Sequence, residues 1–244
     1  MNEVVWHDLE CGRYRQDLAL WLELAARLVP EGQAVLDVGA GTGRVSIPLA
    51  QAGHHVVALD RDQVLLGELE RRAAGLPVET VCADARDFEL PGREFPLIVM
   101  PMQTVQLLGG ADAHAAFFGC ARAQLAAGGY VAVAIAASED FEEFELHDGD
   151  MAPHPDIAEI DGRAYFSQPT AVRRRKDTFL LERHREIVEA DGARTSSDDR
   201  IALDIIAVEG LQQAAQRAGL RPSARRRVEA TDEHIGSEVV IFGG

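Results

Sequence analysis

The sequence predicts an α/β fold: a mostly parallel sheet with helices on both faces and an antiparallel β insert after the fifth strand. Three observations carry this. Residues 34–62 read as strand, glycine-rich turn, helix, strand and acidic residue, a βαβ half-unit. Short apolar runs then alternate with helical patterns as far as residue 136, the rhythm of a parallel sheet. A helix, a turn and two further strands close the chain after a long stretch that breaks the rhythm.

In chain order, residues 14–29 have the amphipathic spacing of a helix: Leu18, Trp21, Leu22, Ala25 and Leu28 recur at three- and four-residue steps. Pro30, Glu31 and Gly32 stop it, and Trp6, His7, Tyr14 and Arg15 lie at or before its start. Ala34 to Val38 is a short β-branched run suited to a buried strand. Gly39, Gly41 and Gly43 follow at alternate positions, where a missing Cβ permits positive φ and close approach of a ligand. Arg44 to Gln51 reads as a helix, short or kinked because of Pro48. His55 to Leu59 is the second strand, with Asp60 at its carboxyl end.

Residues 63–74 form the next helix, and Val78 to Cys82 the third strand, followed by Ala83-Asp84-Ala85. Phe95 to Met100 is the fourth strand, and Pro101 to Gln106 follow it, with Gln103 and Gln106 placed either to bond a ligand or to start a helix facing water. Residues 112–126 make a helix ended by Gly128-Gly129, and Tyr130 to Ala136 the fifth strand. Within 137–200, Ser138 to Asp150 is acidic and patternless, Ala164 to Val172 reads as a strand, and Thr178 to Val188 fits strand or helix, with strand preferred. A turn at 190–193 leads into alternating Ile201, Leu203 and Ile205. A helix over 207–218 and strands Pro222 to Glu229 and Glu238 to Phe242 complete the chain.

The ligand is decided by detail. A dinucleotide turn places its third glycine where this chain has Arg44, and Asp37 stands two residues before Gly39. The run Val-Leu-Asp-Val-Gly-x-Gly-x-Gly closely resembles motif I of the class I S-adenosylmethionine-dependent methyltransferases. The later insert resembles that of glycine-N-methyltransferase-like, small-molecule members. The resemblance implies a Rossmann-like seven-stranded methyltransferase sheet in the order 3-2-1-4-5-7-6, only the seventh strand antiparallel. It implies S-adenosyl-L-methionine as cofactor and S-adenosyl-L-homocysteine as product. The expected cofactor residues are Asp37, Gly39, Ala40, Gly41 and Gly43 beneath the methionyl part, Asp60 and Arg61 at the ribose, Asp84 and Ala85 at the adenine, and Met100. Asp84 also suits the cap of the turn that follows it. The chain is expected to be one domain over 1–244, with a helical cap over 1–29 and a lid or dimerisation element over 137–200.

Composition narrows the acceptor. The chain has 244 residues, 47% of them hydrophobic, and a formal net charge of −16. That surface repels a phosphate backbone, and the Asn/Asp-Pro-Pro-aromatic motif of base-directed methyltransferases is absent after the fourth strand. Nucleic acid and membrane are therefore not expected as partners; a small-molecule acceptor is, together with a possible homodimer. Three scattered cysteines, Cys11, Cys82 and Cys120, fit a reducing cytoplasm and no metal spacing, abundant Ala and Arg suggest a bacterial source, and no signal peptide is expected. His147 and His154 lie among carboxylates without a ligand pattern.

Attack on a sulfonium methyl needs alignment, and an amine or hydroxyl acceptor must also lose a proton. His234 is the first candidate base, because the turn 231–236 follows a parallel strand and so falls on the ligand edge. Gln103 and Tyr14 are the other catalytic candidates, Tyr14 being equally suited to half-buried packing. Residues 162–188 are expected to roof the acceptor pocket, with Gln103 and Gln106 below and Tyr14 beside it. Methyl transfer to a small molecule is the leading function. A non-catalytic S-adenosylmethionine-binding protein and a nicotinamide-dependent oxidoreductase are the alternatives.

Overall fold

The structure, a computed structural model, describes residues 2–136, 154–231 and 234–244. Its elements are α1 (Asn2–Glu10), α2 (Leu18–Leu28), β1 (Ala34–Val38), α3 (Ser46–Gln51), β2 (His55–Asp60), α4 (Gln63–Arg72), β3 (Val78–Cys82) and β4 (Phe95–Met100). A 3-10 turn (Thr104–Leu107), α5 (Ala111–Ala123) and β5 (Leu125–Ile135) follow. The insert contributes β6 (Asp156–Ile160), β7 (Arg163–Arg174), β8 (Thr178–Val188) and β9 (Arg194–Asp204), and α6 (Val208–Arg217), β10 (Arg221–Val228) and β11 (Ser237–Gly243) close the chain.

The main sheet runs β10-β11-β5-β4-β1-β2-β3. β1 pairs in parallel with β2 and β4, β2 with β3, and β4 with β5, while β11 is antiparallel to both β5 and β10. This is the expected order 3-2-1-4-5-7-6 with the seventh strand reversed. The central strands are buried on both faces, which is why they read as unbroken apolar runs. Their alternation sorts the core into two layers. Leu36, Ile98, Met100, Val131 and Val133 pack with Phe117 and Phe118 of α5 and Leu211 of α6. Val35, Leu97, Val99 and Ala132 face Trp21 and Leu24 of α2 and Leu49 of α3.

Several boundaries differ from expectation. The helix expected over 14–29 begins only at Leu18, because the Asp17 side chain is taken by Trp21 and Arg44. A separate helix, α1, precedes it. Pro48 is the third residue of α3, within the first turn, where backbone N–H groups have no intrahelical partner, so it does not break the helix. Gly128-Gly129 does not end a helix: α5 stops at Ala123 and both glycines lie inside β5. Among the described residues the insert holds four strands, where three were expected, in an antiparallel sheet β6-β7-β8-β9. β6 exposes Ile157 and Ile160, so its alternation does not point to a core. β9 starts at Arg194 because Arg194 to Arg200 pair in register with Val188 to Glu182, and their polar side chains reflect an exposed sheet edge. Ser138 to Asp150, including His147, lies outside the described residues.

The insert is bolted to the main sheet at the end of β9. Asp204 accepts from the backbone N–H groups of Gly109 (3.0 Å) and Gly110 (2.7 Å) and meets His114 Nε2 at 3.0 Å. Gln106 donates to the Asp204 carbonyl at 2.9 Å and accepts from Ala136 N–H at 2.9 Å. Its amide is thus used up structurally, below the insert but away from the cavity described next.

Candidate active site

Parallel strands β1 to β5 all end at one edge of the sheet, and ligands of open α/β sheets bind outside that edge. A cavity of about 420 Å³ lies there. Asp37, Gly39, Ala40, Asp60, Arg61, Asp84 and Ala85 line it from the sheet side, and Leu65 closes one wall. Pro101, Met102, Gln103 and Thr104 line it after β4. Leu181 and Arg183 of β8 and Ile201 and Leu203 of β9 lie opposite. His7, Glu10 and Cys11, at the end of α1, complete it.

The glycine turn is held by bonds that leave its inner surface open. Gly39 and Ala40 donate to the Leu59 carbonyl, at 2.8 and 3.1 Å. Gly41 donates to Asp60 Oδ2 at 2.8 Å, and Asp62 to Oδ1 at 2.9 Å. A carboxylate offers about four acceptor sites, so Asp60 retains capacity on both oxygens. Gly39 and Gly41 have φ of 78° and 54°, in the left-handed region. A Cβ would strike Thr104 from Gly39 and the His7 ring from Gly41, each at 2.4 Å. Both residues are therefore glycine to let neighbouring side chains close in. Met102, at φ 53°, is the strained residue of the cavity wall.

Asp37 is buried beneath the turn. Ser46 donates to its Oδ2 at 2.6 Å, while its Oδ1 is buried without a partner. Burial pushes this carboxyl up to about 6, against the downward pull of Ser46 and Arg44. An orphaned carboxylate oxygen in a cavity floor is a seat for a cationic or donor group. Asp84 is held down to about 2 by the Arg86 side chain and by Arg86 N–H at 2.8 Å, so it does cap its turn. Both carboxylates are acceptors at neutral pH.

Arg44 also lines the cavity. Its guanidinium grips Asp17 with two nitrogens and donates to the Tyr14 carbonyl at 3.1 Å, with both charged side chains almost wholly buried. Tyr14 and His234 do not line the cavity. Their rings meet edge to face, 5.3 Å apart, behind Arg44. Burial raises the Tyr14 hydroxyl's pKa, and Tyr14 Oη and Ser237 Oγ are both buried without a hydrogen-bond partner among the described residues. Met100 points into the core beside Phe118, and Gly41 and Gly43 shape the turn without lining the cavity. Of the expected catalytic residues, Gln103 alone reaches it.

Sequence reasoning expected a helical cap over 1–29 but not the individual contacts that α1 makes. Asp8 accepts from Thr42 Oγ1 (2.7 Å) and pairs with Arg72 of α4; Glu10 accepts two bonds from Arg185 (2.7 and 2.6 Å) and one from Ser167 (2.6 Å). Trp6 packs edge to face on Tyr165, 5.3 Å between centroids. One nine-residue helix thus spans the glycine turn and the insert. The signal available was weak: an apolar Val5, Trp6 and Leu9 stripe too short to stand out.

A family model described as a methyltransferase domain matches residues 35–129. Over 74 residues the chain is 39% identical to the cypemycin N-terminal methyltransferase of a Streptomyces species, a match that covers 30% of each chain. The chain thus spans less than a third of that relative's length. Among solved structures, Streptomyces venezuelae DesVI superposes with a TM-score of 0.73 at 22% identity, covering 98% of each chain. S-adenosylmethionine-bound CalS10 of Micromonospora echinaspora, an amino pentose methyltransferase involved in calicheamicin biosynthesis, gives a TM-score of 0.73 at 22% identity over 97% of this chain and 96% of that one. Residues 35–129 therefore match a methyltransferase domain, and the chain as a whole shares the Rossmann-like fold of solved S-adenosylmethionine-dependent methyltransferases.

Proposed function

We propose that the protein transfers a methyl group from S-adenosylmethionine to a small-molecule amine, with amino sugars as the first class to test. The observation that carries this reading is the roofed cavity of about 420 Å³ at the carboxyl edge of the sheet, with carboxylates and a glycine turn on its sheet side and apolar insert residues opposite. A cavity of that size takes a small molecule. The amine and sugar class is taken from the amino pentose methyltransferase that this chain superposes on. The residues fit the cofactor. Asp60, with capacity left on both oxygens, would hold the ribose hydroxyls; Asp84 and Ala85 would face the adenine. Asp37 Oδ1 and the glycine turn would receive the methionyl part. When bound, the cofactor supplies a sulfonium-activated methyl group for in-line attack.

The chain's own work is then placement. Leu181, Ile201 and Leu203 offer an apolar wall, and Gln103 a hydrogen-bonding side chain. Orienting the two reactants is worth up to about 7–11 kcal/mol in model systems. Calorimetry with S-adenosylmethionine, S-adenosylhomocysteine and NADH tests the cofactor. Mass spectrometry on a panel of amino sugars incubated with S-adenosylmethionine tests the transfer. We expect heat from the first two ligands, none from NADH, and products heavier by one methylene. Binding of NADH in place of S-adenosylmethionine sinks the reading.

Asp37 adds a pH dependence. Its carboxyl titrates near 6 in the cofactor-free protein, so below that pH it is neutral and a poor partner for a cationic ligand. Affinity for S-adenosylmethionine should therefore rise between about pH 5 and 7, with release of a proton, and Asp37→Asn should flatten that rise. Calorimetry in buffers of different ionisation heat measures both; a pH-independent affinity in the wild type contradicts the assignment.

A further inference from the structure

We propose that His7 is the general base for the acceptor, an inference that rests on reading the cavity as a methyl-transfer site. Three groups in or beside the cavity are poor bases. Glu10 is held by Arg185 and Ser167. Burial pushes the Cys11 thiol up to about 11, which keeps it protonated. His234 lies against Tyr14, off the cavity wall.

His7 lines the cavity with its side chain about one quarter exposed, and its hydrogen bonds fix its tautomer. Thr42 Oγ1 has a single proton. It donates that proton to Asp8 Oδ1 at 2.7 Å. Burial raises Asp8, but His7 nearby at 3.9 Å and bonds from Arg72 and Thr42 outweigh it and hold the carboxyl below the ordinary carboxylate range, so Asp8 is an acceptor. Thr42 can then only accept from His7 Nδ1, 3.3 Å away. The proton of the neutral ring sits on Nδ1, and Nε2 carries the lone pair. A base oriented by a hydroxyl that is itself oriented by a carboxylate is the arrangement used to activate acceptors elsewhere.

The ring packs on the glycine turn. A Cβ at residue 41 would lie 2.4 Å from Nε2 and 2.6 Å from Cε1, so glycine there lets the imidazole sit beside the turn at the edge of the cavity. The charged groups around the ring are Asp8, 3.9 Å from Nδ1, Arg72 of α4, which pairs with Asp8, and Asp60, which accepts from the Gly41 N–H beside Nε2; Glu10 lines the same cavity. In the proposed step an acceptor ammonium gives one N–H proton to Nε2. The freed nitrogen lone pair then forms the new bond to the methyl carbon as the sulfur–methyl bond opens onto sulfur. The imidazolium that results is stabilised through Thr42 by Asp8, and later loses its proton to water.

The test has two arms on the full-length protein. Nitrogen-15 NMR of the imidazoles, with the His7 signal identified by its loss in His7→Gln, should show the Nδ1–H tautomer for the neutral ring. Thr42→Val should abolish that preference. In methyl transfer to an amino sugar from the panel, His7→Gln should lower kcat at neutral pH by about 100-fold or more, recovering toward alkaline pH, where the acceptor amine is free without help. S-adenosylmethionine affinity by calorimetry should stay within about twofold, given that the lost group acts on the acceptor. A neutral ring protonated at Nε2, or an unchanged kcat in the folded variant, overturns the proposal. A wild-type protein that binds no S-adenosylmethionine overturns instead the reading on which it rests.

Discussion

Asp60→Ala should weaken S-adenosylmethionine binding by about 100-fold or more. A carboxylate that accepts from two ribose hydroxyls makes two charge-assisted hydrogen bonds, each worth about 1.5–3 kcal/mol. The same side chain accepts from Gly41 N–H and Asp62 N–H, at 2.8 and 2.9 Å. Alanine would therefore also release the middle of the glycine turn, so that the ligand must order it on binding. Asp60→Asn separates the two effects. Its amide keeps one acceptor but turns an NH₂ toward one of those backbone donors, so affinity should fall by less than in the alanine variant and still by more than tenfold. Calorimetry on variants that melt cooperatively gives the answer, and an affinity within threefold of wild type for Asp60→Ala removes this residue from the cofactor site.

The second large effect concerns stability. Asp17→Ala should cost about 3–5 kcal/mol, the range seen when one partner of a buried ion pair is removed. Arg44 and Asp17 are only 6% and 2% exposed, and the deletion leaves a guanidinium without its carboxylate. It also strips the acceptor from Trp21 Nε1, whose bond to Asp17 Oδ2 is 2.8 Å. For a chain of this size the loss corresponds to a fall in melting temperature of about 6–20 °C. Asp17→Asn keeps an acceptor for Trp21 and should lose less. A denaturant titration in which Asp17→Ala stays within 1 kcal/mol of wild type would refute the account of this pair. The two predictions are independent in kind: one variant should fold and fail to bind, the other should fold poorly.

How much of this was legible in the sequence depends on how far apart the interacting residues lie. Asp37, Asp60 and Asp84 each follow or sit in a strand at fixed distance from a turn, and all three line the cavity at the edge where the strands end. Local spacing places such residues, because strand direction and turn length leave little freedom. Strand boundaries in the insert were less visible. Thr195 to Asp199 is polar throughout, and only its pairing with β8 makes it a strand. The helical cap over 1–29 was expected, but His7 and Glu10 were not singled out in it as site residues. Their positions are fixed by Thr42, 35 residues away from His7, and by Arg185, 175 residues away from Glu10. Arg44 was legible as an obstacle to a dinucleotide, but its positive role as the anchor of Asp17 and Tyr14 was not. Gln106 looked like a ligand to the acceptor and is instead a clasp between β5 and Asp204, a distinction that needs the tertiary structure.

The reach of α1 has a consequence for how the chain is made. Translation proceeds at about 5–20 residues per second, so Glu10 joins the chain roughly 9–35 s before Arg185 does. For most of that interval Trp6 and Leu9 lack Tyr165, one of the residues packed with them in the finished protein. The first helix of the chain in sequence is therefore among the last to be seated, and the cavity it closes comes into being only when synthesis is well past the insert.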